Sequence, residues 1–296
     1  MTEITEQLVF SILKPRNPDS HKGTYGTPLL ICGSRCFPGA AALAVTSTLR
    51  CGAGIVRLAS TRYVNQLVAS KVSEPIYFEL DETDDGAING SSASDNPELE
   101  KVITNASACL IGCGLTQSPS LLKLVKNVLY YAMSPVVLDA DALNLLSTTG
   151  TVEKILGTAD HPPILTPHIG EMSRLTGLAI AEIKQAPHAV AAKYAKLWNA
   201  VVVLKDHITH VALPDGRVYV NTTGNAGLAR GGSGDTLSGM ITSLVGQGYE
   251  VGDAAICAVW LHGKAADLCA KRLSKYGMLP SDILDDLCGI FASRGL

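Results

Sequence analysis

Gly224-Asn225-Ala226-Gly227-Leu228-Ala229-Arg230-Gly231-Gly232-Ser233-Gly234-Asp235-Thr236-Leu237-Ser238-Gly239-Met240-Ile241-Thr242-Ser243-Leu244-Val245 is the stretch around which the chain is organised. Leu237, Met240, Ile241, Leu244 and Val245 fall at i, i+3, i+4, i+7 and i+8, the apolar stripe of a helix packed on one face. That spacing starts the helix near Gly234. Ahead of it, Gly231, Gly232 and Gly234 carry no Cβ, so the backbone is free to turn its N–H groups outward at the positive end of the helix dipole. Such a turn is an anion site. Asp235 then sets a carboxylate where an anion would sit, which fits a proton-accepting role better than binding alone. A glycine-rich helix start with Asp235 as its cap is the alternative reading of the same residues.

Working outward, 296 residues with 47% hydrophobic content are enough for a large core, and a single α/β domain spanning 1–296 accommodates them. A net charge of −3 and the absence of any basic run give no electrostatic draw for nucleic acid or an anionic membrane. No apolar run approaches the ~20 residues of a membrane span and no signal segment opens the chain, so the expected location is the cytoplasm. Eight cysteines without a Cys-x-x-Cys pair make neither a disulfide scaffold nor a zinc motif. They read as reduced and mostly buried.

Strands and helices alternate along most of the chain. A short amphipathic piece, Ile4 to Leu13, stops at Pro15. His21-Lys22-Gly23-Thr24-Tyr25-Gly26 leads into the apolar run Pro28 to Gly33, and Gly39 to Arg50 reads as a helix whose small residues, Ala40 among them, permit close approach. Ile55–Ala59 and Ile76–Leu80 are strand-like. Residues 81–98 are polar and glycine-punctuated, the pattern of an exposed loop or insertion. Ala108–Ile111 runs into the turn Gly112-Cys113-Gly114, with a helix over Ser118–Ala132. Pro135–Leu138 runs into Asp139-Ala140-Asp141-Ala142-Leu143-Asn144, and Ile164-Leu165 into Thr166-Pro167-His168-Ile169-Gly170-Glu171. Polar groups directly after apolar strands lie at the strands' carboxyl ends, where open α/β sheets hold ligands; Asp141 also suits a helix cap. A helix over Pro187–Trp198 precedes the strand Val201–Lys205. His210–Leu213 and Arg217–Val220, joined by Pro214-Asp215-Gly216, form a hairpin, and helices over Asp253–Leu273 and Ser281–Ser293 close the chain. The pattern is three-layer α/β/α with a mostly parallel sheet and an antiparallel edge hairpin.

Five of these segments in order, His21 to Gly26, Asp139 to Asn144, Thr166 to Glu171, Val203-Leu204-Lys205 and Gly231 to Asp235, resemble the ADP-dependent NAD(P)H-hydrate dehydratases of the ribokinase-like superfamily. The resemblance covers nearly the whole chain. It implies that the (S) hydrate of NADH or NADPH is dehydrated while ADP becomes AMP and phosphate. It further implies Asp235 as general base, and Ala40, Gly114, His168 and Asp235 lining the hydrate site. Lys205, Asp206, His207, Ile208 and Thr209, with Gly231, Gly232 and Gly234, would hold the nucleotide. Glu171 would hold Mg²⁺ through water. Relatives of this kind are often homotetramers, and some carry an epimerase domain ahead of the dehydratase, for which this N-terminus has no room. Two departures stand out: Cys113 replaces the usual proline of its turn, and Asp206 replaces the glycine that usually follows the lysine, bringing negative charge toward the expected phosphates. The alternative is a true alcohol kinase of the same superfamily, of the hydroxyethylthiazole or hydroxymethylpyrimidine type, which shares the Gly-Gly-x-Gly-Asp turn but not the His168 or His21 segments.

Overall fold

The computed structural model describes all residues, 1–296, as one ten-stranded sheet between two helix layers. In chain order the strands are β1 (Thr2–Glu3), β2 (Leu29–Ile31), β3 (Arg57–Thr61), β4 (Ile76–Leu80), β5 (Cys109–Ile111), β6 (Val136–Leu138), β7 (Ile164–Leu165), β8 (Val201–Leu204), β9 (Thr209–Ala212) and β10 (Val218–Asn221). Across the sheet they lie in the order β1-β10-β9-β8-β7-β6-β5-β2-β3-β4.

Continuous apolar runs form the inner strands because both faces are covered. Leu29 and Ile31 of β2 point into one core and Leu30 into the other; Val202 and Leu204 of β8 likewise oppose Val201 and Val203. One face carries the helices Pro38–Arg50, Ser233–Gly246, Val251–Gly277 and Ile283–Ser293, and the other Pro119–Tyr131, Asp141–Ser147, Ile169–Thr176 and Pro187–Trp198. No helix is long and apolar enough to cross a membrane.

The three-layer ribokinase-like architecture expected from the sequence is the one observed, with three local corrections. The hairpin is not the edge: β9 alone runs antiparallel to its neighbours, and the N-terminal β1 pairs in parallel outside β10. Two residues have no periodicity to read, so β1 left no trace in the pattern. Residues 81–98 are not an open loop either. Asn89 caps a short helix, Gly90–Ser94, and Ala87 and Ile88 ahead of it and Ala93 within it are buried; so few apolar positions made the segment look solvated. The long helix continues past Leu273 to Gly277, but through a break at Ser274 (φ 64°, ψ 159°), so its regular part ends where the apolar pattern does.

The site is positioned by a reversal of chain order. From β2 the chain moves outward through β3 and β4, then returns to β5 on the other side of β2 and proceeds to β8. The strands β2 to β8 are parallel, so the residues that follow β2, β5, β6, β7 and β8 gather along one edge. That edge, at the switch between β2 and β5, is where an open α/β sheet has its crevice.

Candidate active site

The helix Ser233–Gly246 aims its N-terminus at this edge. Its N-cap is Gly232, at φ +100°, a left-handed conformation that a side chain disfavours; a Cβ there would also press on Leu43 and Pro280. Gly231, Gly232, Gly234 and Asp235 donate no backbone hydrogen bond within the chain, so their N–H groups are available to a ligand. Asp235 sits in the first turn and makes no cap bond, which removes the capping alternative. Burial raises its carboxyl to about 6, helped by the negative charge of Asp139 and opposed by the Cys113 thiol and Lys205.

Beneath the turn lies a buried ion pair. Asp139, directly after β6, is 1% exposed, and its Oδ1 accepts from Lys205 Nζ at 2.9 Å and from Thr166 Oγ1 at 2.7 Å. Its Oδ2 accepts from Ser238 Oγ at 2.9 Å and faces Cys113 Sγ at 3.7 Å. Burial by itself would raise the Asp139 carboxyl, but Lys205 and the hydroxyl donors outweigh it and hold the group below its ordinary value. Burial would equally lower Lys205, and Asp139 and Glu171 more than reverse that. A Cβ on Gly234 would stand 3.2 Å from Lys205 Nζ and 3.7 Å from Asp139, so the glycine lets the turn rest on the pair.

His168 and Glu171 form a reciprocal cap on the helix Ile169–Thr176. Nδ1 of His168 accepts from the N–H groups of Gly170 (2.9 Å) and Glu171 (3.2 Å), while Glu171 Oε2 accepts from the His168 N–H at 2.8 Å. An accepting Nδ1 leaves the proton of the neutral ring on Nε2. Burial and Lys205 lower the pKa of His168, so it is neutral, and half of its side chain remains exposed toward solvent. Burial raises Glu171 to about 7 against the pull of Lys205. Its second oxygen lies 3.4 Å from His168 Nε2. The expected water-mediated Mg²⁺ role of Glu171 is therefore not what its surroundings favour, since both oxygens face the cap and the side chain is 6% exposed.

Ala40 and Gly114 lie against each other. Gly114 has φ +64°, and a Cβ there would lie 2.9 Å from that of Ala40 and 2.7 Å from that of Phe37. Asp206 turns back on its own loop, where Oδ1 accepts the His207 N–H at 2.8 Å; Asp206 and His207 are exposed, and Ile208 and Thr209 partly so. The His21 to Gly26 segment is not brought to the site. It forms a short 3₁₀ turn, and Gly26 abuts Gly246 at the far end of the helix that begins at Ser233. A groove of about 550 Å³ between the last two helices, lined by Trp260, Lys264, Asp286 and Arg294 among others, is also remote from these groups.

Sequence reasoning had no role for Thr166, Ser238 or Phe37. Thr166 was within reach, as the residue that follows β7 between the strands bearing Asp139 and Lys205. Ser238 lies one helical turn beyond Gly234 on the face that meets the sheet, a position the apolar stripe does not mark.

A family model described as NAD(P)H-hydrate dehydratase matches residues 28–288. The chain belongs to the NAD(P)H-hydrate dehydratase family. It is 37% identical over 287 residues to the ADP-dependent (S)-NAD(P)H-hydrate dehydratase of Bacillus subtilis, covering 96% of this chain and 95% of that protein. It is 43% identical over 278 residues to the bifunctional NAD(P)H-hydrate repair enzyme Nnr of Moorella thermoacetica, covering 94% of this chain but 51% of that one, so it spans about half the length of such bifunctional relatives. The crystal structure of the B. subtilis ADP/ATP-dependent NAD(P)H-hydrate dehydratase, co-crystallised with ATP/Mg²⁺, superimposes with a TM-score of 0.86 at 35% identity, covering 99% of this chain and 98% of that one.

In this family member the cluster at the turn does not suit Mg²⁺ as a protein-made cage. Mg²⁺ takes hard oxygen donors in octahedral array, whereas Asp139 is already committed to Lys205, Thr166 and Ser238 and its neighbour Cys113 is a thiol.

Proposed function

We propose that the chain dehydrates the (S) hydrate of NADH or NADPH, consuming ADP and releasing AMP and phosphate. The observation that carries this reading is Asp235. It is a carboxyl raised to about 6, in the first turn of a helix where the N–H groups of Gly231, Gly232, Gly234 and Asp235 have no partner in the chain. An anion-binding turn is weakened by a carboxylate, whereas a phosphoryl-transfer site needs a base beside its amides.

Hydroxide is a poor leaving group, so the ring hydroxyl is activated before it departs. Asp235 accepts the hydroxyl proton as the oxygen attacks the terminal phosphorus of ADP; the bond to the inner phosphate breaks and AMP leaves. The free amides of Gly231, Gly232 and Gly234 hold the charge of the transferring group. Lys205, kept protonated by Asp139, supplies a fixed positive charge beneath the same turn. The ring nitrogen then pushes out phosphate, the C–O bond breaks, and loss of a neighbouring ring proton restores the dihydronicotinamide. Ala40 and Gly114 leave room for the flat ring, and His168 Nε2–H is a donor for its polar groups. These side chains build no cage for Mg²⁺, which would be held by the nucleotide and would supply neutralisation of its phosphate charge.

The test incubates the protein with hydrated NADH and ADP, or ATP, and follows dihydronicotinamide absorbance and phosphate release together. Return of the absorbance with stoichiometric phosphate supports dehydration. A phosphorylated hydrate that accumulates without either signal supports the alcohol-kinase alternative. Homotetrameric assembly, which the family resemblance implies, is read by light scattering on the same sample.

A further inference from the structure

Asp267, on the helix Val251–Gly277, faces the segment that leads from β10 to the glycine turn. Its Oδ2 accepts the Gly224 N–H at 3.0 Å and its Oδ1 accepts from Asn225 Nδ2 at 3.0 Å. The same Nδ2 donates to the Ala266 carbonyl at 3.0 Å, and Asn225 Oδ1 accepts the Gly227 N–H at 2.9 Å. Both polar atoms of the asparagine side chain are thus engaged. Lys264 and Lys271 stand at i−3 and i+4 from Asp267, where helical neighbours pair, yet neither forms an ion pair with it. The carboxylate serves the incoming segment instead.

The segment lies directly on that helix, since a Cβ on Gly263 would come within 2.6 Å of the Thr223 carbonyl. From Asn225 onward, short turns hand the position along. The N–H groups of Leu228, Ala229, Arg230 and Ser233 donate to the carbonyls of Asn225 (3.0 Å), Ala226 (3.1 Å), Leu228 (2.7 Å) and Arg230 (3.3 Å). Only the 3₁₀ turn Ala226–Leu228 intervenes, so the place where Asn225 is held decides where Gly231, Gly232 and Gly234 present their free N–H groups. Past the helix break at Ser274 the support is of another kind: the exposed Arg230 donates to the Tyr276 carbonyl at 3.0 Å, Met278 packs on Gly227 and Pro280 on Gly232. Asp267 alone brings a carboxylate acceptor, whose hydrogen bonds are roughly twice as strong as neutral ones.

We propose that Asn225 and Asp267 are a positioning pair for the glycine turn, fixing its free amides where the terminal phosphate of the nucleotide is to lie. They act through the segment Gly224–Ser233 and not by contact with the reacting atoms. N–H donors that are already in place stabilise a transferring phosphoryl group without having to be gathered as it forms. A turn that is in place for only part of the time loses apparent affinity by that fraction. Cutting the pair therefore weakens the nucleotide side and spares the hydrate side, which Ala40, Gly114 and His168 would form on other elements. The effect on turnover rests on the reaction proposed above; the hold on the nucleotide does not.

The test compares native protein with Asp267→Asn, which keeps an acceptor for Gly224 but sets one NH₂ group against that of Asn225. In calorimetric titration ADP is expected to bind the variant at least about 10-fold more weakly, the lower end of what a hydrogen bond to a charged group contributes. In the hydrate assay the KM for ADP rises by the same factor while the KM for the hydrate stays within about 2-fold. Hydrogen exchange gives a readout besides activity: ADP slows exchange across Gly231–Asp235 in native protein, and the variant loses that protection while β6 and β7 keep theirs. Asn225→Ala removes the same bond from the other side and repeats the measurements should Asp267→Asn fail to fold. In the double variant the loss is smaller than the product of the single losses. A lowered Tm with ADP affinity unchanged, or equal weakening toward both substrates, makes the pair merely structural and overturns the proposal, as do single losses that multiply in full. Native protein that binds ADP but does not dehydrate the hydrate, with ADP binding and protection still lost in Asp267→Asn, overturns the reaction while the positioning role stands, so the two failures are distinguishable.

Discussion

Lys205 Nζ lies 2.9 Å from Oδ1 of Asp139, in a pair that joins the ends of two strands separated by a third and lies directly under Gly234. The pair fixes a positive charge below the glycine turn and cancels a carboxylate that would otherwise repel the phosphate of the proposed substrate. Asp139 is 1% exposed, so removing one partner leaves the other charge buried and uncompensated. Asp139→Asn and Lys205→Met are each expected to lose about 3–5 kcal/mol of stability. The double variant should lose less than the sum of the two. Chemical denaturation of all four proteins gives the answer, and strict additivity would mean that the two groups do not depend on each other.

With Asp235 raised to about 6, turnover is expected to fall tenfold per unit on the acid side of pH 6 and to level off above it. The profile of kcat/KM reads this directly. An acid limb near the ordinary value of 3.8 would show that another group sets the rate.

The same shift has a consequence for stability. A carboxyl raised in the folded state binds its proton more tightly there than in the unfolded chain. Its stabilising contribution is complete below 3.8 and is lost as pH rises through about 6. At neutral pH the ionised group therefore destabilises the fold, by roughly 2–3 kcal/mol. Asp235→Asn should abolish turnover, leave ADP binding intact, and raise Tm at pH 7.5 but not at pH 4. Loss of ADP binding together with turnover would make Asp235 a structural residue.

What the sequence made legible follows physical range. Ile76–Leu80 is read to the residue because five consecutive positions carry the signal, and the hairpin strands are off by one because their turn defines them only at its tip. The glycine turn and its carboxylate are local, three glycines and an aspartate ahead of an apolar stripe, and the helix start they make was readable for that reason. The Asp139–Lys205 pair spans 66 residues and exists only because β6, β7 and β8 lie side by side, an order no local pattern encodes. The His168 cap escaped because imidazole lies outside the usual capping residues; only Glu171, three positions on, hinted at a reciprocal cap.

Asp206 is a departure whose effect is expected to be small. Its Oδ1 is held by the neighbouring His207 N–H and the residue is exposed, so water screens its charge from the turn. Asp206→Gly should change ADP affinity by no more than about 2-fold, a few tenths of a kcal/mol. Calorimetric titration checks this; a tenfold gain in affinity would mean that the carboxylate swings toward the phosphates when nucleotide binds.

Gly114→Ala tests whether the crevice between β2 and β5 receives the hydrate. Alanine at φ +64° is strained by roughly 1–2 kcal/mol, and its Cβ would come within 2.7 Å of Phe37 and 2.9 Å of Ala40, closer than carbon atoms pack. The helix Pro38–Arg50 must then shift, narrowing the space beside Ala40. The proposed nucleotide turn meets Leu43 of that helix at Gly232, but it is also backed by Pro280 beside Gly232 and by Lys205 beneath Gly234, neither of which lies on the helix. A loss confined to the hydrate side is expected: KM for the hydrate rises about tenfold, ADP affinity stays within 2-fold, and stability falls by roughly 1–2 kcal/mol. Steady-state kinetics with each substrate varied in turn, beside a denaturation curve, separate these terms. Equal weakening of both substrates would show that the strain passes through the helix to the anion turn, and an unchanged KM for the hydrate would move its ring elsewhere along the strand ends.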